Sequence, residues 1–429
     1  MPTAAKKSPK KEKTSIQTII TKSIQHTKEM KLIPGIEDFD ATNTITDLVD
    51  LIVHKAWEAK ASDIHIDPTP ESIIVRYRID GIAYDILSLP KEDQPLLVTR
   101  IKVLSGLRTD EHLMAQDGRF RVHVNSVDID LRVSIVPTYS GEDVVMRLLV
   151  SEVQLISLEQ LGFSNKDLTT IKRYIEKSYG MILVTGPTGS GKTTTLYSIL
   201  QILNSREVTI ITIEDPIEYS VPGITQIQVN TQTNLTFAAG LRSIVRQDPN
   251  IIMVGEIRDN ETASIAVNAA MTGHLLLSTL HTNDAATTLP RLLDMGIEPY
   301  LIASTVNVAI GQRLVRKLCS DCKKEVSFTK EEKTMLQENI PTAALDSVSK
   351  IWRAEGCPAC NHTGYVKRTG IYEVLEMTES IRKLIMRRAS ADEIRKAAIS
   401  DGMTTMLQDG FAKVADGITS LAEILRVIR

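Results

Sequence analysis

Residues 180–199 read "GMILVTGPTGSGKTTTLYSI", and no other stretch restricts the chain so strongly. The apolar run predicts a strand, and the segment from Lys192 onward predicts a helix. Between them Gly186–Thr193, "GPTGSGKT", meets every fixed position of G-x-x-x-x-G-K-[ST]. Gly186, Gly189 and Gly191 let the backbone curl so that its N–H groups face phosphate oxygens, and the helix N-terminus adds partial positive charge. Pro187, Thr188 and Ser190 complete the loop. Lys192 is placed for the β- and γ-phosphates, the Thr193 hydroxyl for magnesium, and Thr194 for the first turn behind them. The expectation is a nucleotide site.

A nucleotide site alone fits a switch, a kinase or a motor, and the acids downstream narrow the choice. "VTIITIEDPIEY" is a second apolar strand ending in Glu214, Asp215 and Glu218. "IIMVGEIRD" is a third, in which Gly255 stands where many ATPases carry aspartate and Glu256 follows. In a parallel sheet the carboxyl ends of strands share one edge, so Glu214, Asp215 and Glu256 converge on the γ-phosphate. One carboxylate then holds magnesium and another orients the attacking water. "TGHLLLSTLHTNDA" adds a strand bracketed by His274 and His281. An isolated histidine is more often structural than catalytic; for this pair, flanking the strand, sensing of the γ-phosphate is the alternative, which the family resemblance given below favours.

Length and pattern divide the chain further. At 429 residues about three domains are expected. Residues 1–41 form a basic tail, with eight lysines against Glu12 and Glu29 in its first 31 positions. It reads as a solvated segment or, through Ile16, Ile19, Ile20 and Ile24, as an amphipathic helix for an anionic surface. Residues 42–150 read as a small α/β domain. Its parts are a helix through "TITDLVDLIVHKAWEAKASDIHID", a hairpin turning at Asp80-Gly81, a second helix, and two more strands. Residues 151–179 are linker and helix, and 180–312 alternate strands and helices as a parallel sheet does. Residues 313–372 hold all four cysteines, and 373–429 read as three short helices.

Cys319 and Cys322 form "CSDC", and Cys357 and Cys360 form "CPAC". Four thiolates in two such pairs satisfy a closed tetrahedral zinc site, with the intervening segment looped out. The net charge of -3 argues against a general nucleic-acid binder, and an aromatic content of 4% argues against base-stacking loops. No apolar run reaches a membrane-spanning length, which places the chain in the cytoplasm with any membrane contact peripheral.

These segments resemble the secretion ATPase superfamily, and within it the type II secretion and type IV pilus assembly motors. The resemblance spans residues 42–429 and rests on "SDIHIDP", "YRIDG", "QDGRF", "LRVS", "GPTGSGKTTTLY", "IEDPIEY", "LRSIVRQDPNIIMVGEIRD", "TGHLLLSTLHTNDA" and "GIYEVL". It implies a RecA-like ATPase domain behind a smaller PAS-like α/β domain, hydrolysis of ATP with Mg2+, and a homo-hexameric ring. Glu256 then takes the magnesium-strand role, since such motors commonly carry Gly-Glu there. Arg119 of "QDGRF" and Arg132 of "LRVS" match arginines that approach the γ-phosphate, with Arg76 and Arg78 as further candidates; without the resemblance they read as solvated. The tetracysteine insert matches assembly motors rather than retraction motors. The implied partner is an inner-membrane platform protein of a pilus or type II secretion system, reached by peripheral membrane association. A retraction or DNA-uptake motor is the alternative, and a nucleic-acid motor the more distant one. Such assembly motors carry a further N-terminal docking domain, so the tail is expected to substitute for it.

Overall fold

The computed structural model describes residues 45–124, 127–150 and 156–428. The lysine-rich tail and Asn125-Ser126, where a turn between two strands is expected, lie outside them. The chain divides into two compact units, one up to residue 152 and one from residue 153.

In the first unit α1 (Ile45–Glu58) leads into β1 (Asp63–Pro68), β2 (Ser72–Ile79) and β3 (Ile82–Pro90). Then come α2 (Gln94–Leu104), β4 (Gln116–Val124), β5 (Val127–Thr138) and β6 (Gly141–Val150). The strands form one antiparallel sheet in the order β3-β2-β1-β6-β5-β4. Alternating residues such as Ile129, Leu131, Val133 and Ile135 are fully or almost fully buried in one core with Leu48, Val53, Leu97 and Ile101 of the two helices. Asp80 and Gly81 both have positive φ (49° and 84°), the backbone a tight hairpin turn requires. Two sequence expectations change here. "SDIHID" does not continue α1: Lys60 turns left-handed at φ 56°, and Asp63–Pro68 pairs with β2 and β6. The segment Gly141–Val150 is a further strand that the sequence pattern did not single out.

The second unit opens with α3 (Asn165–Ile175), β7 (Gly180–Thr185), α4 (Lys192–Leu203), β8 (Ile210–Glu214) and β9 (Thr225–Gln228). It continues with α5 (Phe237–Ile244), β10 (Ile251–Val254), α6 (Asn260–Met271), β11 (Leu275–Leu280), α7 (Ala285–Asp294) and α8 (Pro299–Thr305). With β12 (Val306–Leu318) and β15 (Tyr365–Glu376), the sheet order is β15-β12-β7-β11-β10-β8-β9, parallel from β12 to β9. Strands β7, β8, β10 and β11 are buried throughout, which is why they read as unbroken apolar runs. Helices α3 and α4 pack on one face, and α5 to α8 on the other.

β12 (Val306–Leu318) runs from this sheet into the first cysteine pair. Beyond it lie β13 (Lys324–Ser327), α9 (Lys330–Leu336), α10 (Thr342–Asp346) and β14 (Lys350–Arg353). β15 (Tyr365–Glu376) returns antiparallel along β12. Four helices follow, where three were expected: α11 (Glu379–Met386), α12 (Ala391–Ser400), α13 (Met406–Ala415) and α14 (Leu421–Ile428). Separate caps divide them, because Thr378, Ser390 and Thr405 each accept a backbone N–H at a helix start. Phe328, Leu336, Ile340, Leu345 and Ile351 of the inter-cysteine segment share a core with Phe411, Val414, Leu421 and Ile424. No described helix is long and apolar enough to cross a membrane.

Candidate nucleotide site

The loop after β7 turns on three glycines with positive φ: Gly186 (148°), Gly189 (77°) and Gly191 (91°). Gly186 is also hemmed in, since a Cβ there would fall 2.4 Å from the Gln312 carbonyl oxygen. Pro187, Thr188 and Gly189 are exposed at the tip, Ser190 is buried, and Thr193 and Thr194 are half-buried in the first turn of α4. Lys192 Nζ donates to Gly186 O at 2.9 Å and to Pro187 O at 3.1 Å. Burial pushes this ammonium's pKa down, and the Glu256 carboxylate pulls it partly back. Lys192 and Glu256 therefore share one electrostatic environment.

Strand β11 lies between β7 and β10, so Glu256 stands two strands from the phosphate loop. The bare Gly255 has a physical reason. A Cβ there would press on Ile213 O and Glu214 Cα, each 3.3 Å away. The acid is carried one residue later instead. The Glu256 carboxylate is 11% exposed and pairs with Arg258 Nε at 2.6 Å and His281 Nε2 at 2.9 Å. His281 is set by its neighbour: Thr185 Oγ1, at the end of β7, accepts the Thr282 N–H at 3.1 Å and lies 2.9 Å from Thr282 O. Arg258 was legible only as part of a polar tail to the strand; its pairing with Glu256 needs the fold.

The other sequence candidates separate. Glu214 is 3% exposed and turned towards α4, where it accepts hydrogen bonds from Tyr197 OH, from Thr212 Oγ1 at 2.7 Å and from Gln226 Nε2 at 3.2 Å. Burial and this carboxylate together raise the Tyr197 pKa. Asp215 is exposed and borders a cavity of about 390 Å³ with Gln228, Asn230 and Gln232, next to the edge strand β9. His274 precedes β11, at the amino edge of the sheet. It lies seven residues from His281, roughly 20 Å along a strand. Its Nδ1 lies 2.8 Å from Ala269 O and its carbonyl accepts the Gly180 N–H. Within one chain the structure does not bring His274 to the phosphate loop, because a strand separates its two ends.

In the first unit, register lines up a set of charges. Arg119 pairs with Arg132, Arg132 with Arg147, Arg147 with Asp63, and Asp63 with Arg78. Directly paired residues share a face, so these side chains form one row across five strands, opposite the apolar core. Asp63 accepts from Arg147 Nε at 2.9 Å and lies 3.5 Å from Arg78 Nε. Arg76, one row along, pairs with Asp67. Arg147 belongs to the row but was missed, since its strand was not recognised.

The four cysteine sulfurs lie within 4.8 Å of one another. Separations of 3.9 Å (Cys319–Cys357), 3.8 Å (Cys322–Cys360) and 3.7 Å (Cys357–Cys360) match the edges of a tetrahedron with metal–sulfur bonds of about 2.3 Å. Burial alone would raise the Cys360 thiol, but N–H groups of Cys357 and Gly364 and the thiols of Cys357 and Cys322 bring it down to about 7. The donor set fits zinc, held in a closed site that leaves no position for substrate.

A glycine loop feeding a helix, with β11 between the loop strand β7 and the acid strand β10 and with β12 on the other side of β7, defines a P-loop ATPase of RecA-like topology. Its chemistry is hydrolysis of ATP with Mg2+. The chain belongs to the Type II/IV secretion system protein family, whose sequence model matches residues 38–426. It is 46% identical over 382 residues to the type II secretion system protein HxcR of Pseudomonas aeruginosa, covering 89% of this chain and 77% of that one. It is 44% identical to the type IV pilus assembly ATPase PilB of Myxococcus xanthus, covering 89% and 67%. The crystal structure of the pilus retraction motor PilT with bound ADP superposes with a TM-score of 0.59 at 27% identity, over 90% of this chain and 96% of that one. The Legionella pneumophila ATPase DotB shares the fold, with a TM-score of 0.66 at 22% identity over 92% and 98%.

Proposed function

We propose that this chain is the ATP-hydrolysing subunit of a homo-hexameric motor that drives assembly of pilin-like subunits, for type II protein secretion or a type IV pilus. The observation that carries the reading is Glu256, held between His281 and Arg258 and electrostatically coupled to Lys192. Relatives above 40% identity bear secretion or pilus-assembly names, and the tetracysteine cluster favours assembly over retraction.

In this reading the loop N–H groups and Lys192 bind the triphosphate, and Thr193 and Glu256 hold magnesium, which neutralises phosphate charge when bound. Glu256 also orients the attacking water, and His281 keeps its carboxylate aimed. Arg119 and Arg132 bring permanent charge to the γ-phosphate of a neighbouring copy, as planar donors suited to spreading negative charge. Glu214 acts by position, fixing α4 through Tyr197, while Asp215 and His274 serve surfaces away from the loop. The ring passes its motion to an inner-membrane platform protein and stays in the cytoplasm, peripherally associated with the membrane; nucleic acid is not a partner.

The test is steady-state ATP turnover against protein concentration, with Glu256→Gln and Arg119→Ala alongside. Turnover that rises with assembly and falls in both variants is expected. Turnover independent of concentration and untouched by Arg119→Ala would remove the shared-site motor.

A further inference from the structure

Gln312 follows Gly311, which pairs with Thr185 at the last rung before the phosphate loop. Its side chain is 1% exposed, and both ends of the carboxamide engage the nucleotide-binding segment. Nε2 donates to Ser190 O at 2.7 Å, inside the loop. Oε1 accepts the Thr195 hydroxyl at 2.8 Å, one turn into α4. The same residue abuts two loop glycines. Its backbone oxygen is 2.4 Å from where a Cβ at Gly186 would fall, and Nε2 is 3.2 Å from the corresponding point at Gly191.

An amide is suited to this bridge because it offers a donor and an acceptor at fixed separation. An ionised glutamate cannot donate to Ser190 O, and an apolar side chain leaves two buried polar groups unpaired. The bridge also sets a direction. In a planar trans peptide the C=O and N–H point opposite ways, so pinning Ser190 O onto Gln312 aims the Gly191 N–H away from β12. We infer that Gln312 is a positioning residue for nucleotide binding, holding the phosphate loop in its cradling shape from a neighbouring strand. The inference rests on the nucleotide reading of that loop.

The experiment measures Mg·ADP affinity by calorimetry and the KM and kcat for ATP in the full chain. The variants are Lys192→Ala, Gln312→Met, Thr195→Val, Thr195→Ser and the Gln312→Met/Thr195→Val pair. Gln312→Met is expected to weaken ADP binding about tenfold, the size of one lost hydrogen bond. KM should rise in step, with kcat at saturation changed less than about threefold. Thr195→Val should weaken binding by a smaller factor and Thr195→Ser should restore it. The double variant should match Gln312→Met within about twofold, since both changes break one bridge. A merely structural role would lower the melting temperature and leave affinity below it unchanged.

Wild-type affinity in both Gln312→Met and Thr195→Val overturns the inference, as does equal weakening by Thr195→Val and Thr195→Ser. If Gln312→Met does not fold, the Thr195 pair decides. Wild-type binding that vanishes in Lys192→Ala but is untouched in both Gln312→Met and Thr195→Val sinks this inference alone. A wild-type chain that binds no ADP sinks the nucleotide reading and this one with it.

Discussion

Glu256 and His281 meet at 2.9 Å from the ends of two neighbouring parallel strands, which makes the carboxylate's orientation a property of the sheet. In the proposed mechanism their losses differ in size. Glu256→Gln removes the water-orienting charge and should lower kcat by about 100-fold or more, with little change in KM. His281→Ala removes one hydrogen bond to a charged group from a half-exposed imidazole, about 1.5 kcal/mol, and should lower kcat roughly tenfold. Equal kcat in His281→Ala and wild type would separate the two residues.

Glu214 should behave as a structural acid. Glu214→Ala leaves Tyr197 OH, Thr212 Oγ1 and Gln226 Nε2 without their shared acceptor in a buried site. A loss of about 3 kcal/mol in urea unfolding is expected, against about 1 kcal/mol for Tyr197→Phe. If Glu214→Ala instead unfolds like wild type while turnover collapses, the acid belongs to the chemistry.

The four cysteines should hold one zinc per chain, countable by atomic absorption. Chelation or Cys319→Ser frees the strands at that end and exposes the segment between the pairs. Limited proteolysis should then cut within residues 323–356 at least tenfold faster, because structural zinc contributes several kcal/mol to local folding. Unchanged cleavage in a zinc-free sample would contradict a structural metal.

Glu423 links α14 to β12. It is 1% exposed and bonded to Arg316 at 2.9 Å and Arg426 at 2.6 Å. Burial alone would raise its carboxyl, yet the bonds to Arg426 and Arg316 outweigh it and hold the group at about 2. A depressed folded pKa means stability fully present above the unfolded value near 4.5 and lost as pH falls from there towards 2. The contribution is on the order of 3 kcal/mol. Urea midpoints of wild type and Glu423→Gln should differ most near pH 7 and draw together progressively as pH falls from 4.5 towards 2.

Where one residue's neighbours decide its role, the sequence was informative only when those neighbours were local. The phosphate loop is a contiguous motif, and buried parallel strands announce themselves as apolar runs. "SDIHID" misled because its alternating Ile64 and Ile66 sit directly behind a helical stretch, and only pairing with β2 and β6 selects the strand. The charged row depends on register, which no local pattern reports. Gln312 carries no motif at all; its contacts exist because β12 lies beside β7. Glu214 and His274 show what a strand end leaves open in sequence: which way a side chain turns, as Glu214 does towards Tyr197, and which edge it occupies, as His274 does at the amino end of β11.

The two cysteine pairs enclose 34 residues between Cys322 and Cys357 whose ends are clamped to the same small volume. Doubling the length of such a closed segment costs only about 0.6 kcal/mol of extra closure entropy. Insertions at exposed points between β13 and β14 therefore leave the catalytic sheet nearly untouched. Evolution has in this clip a place to vary recognition without renegotiating catalysis.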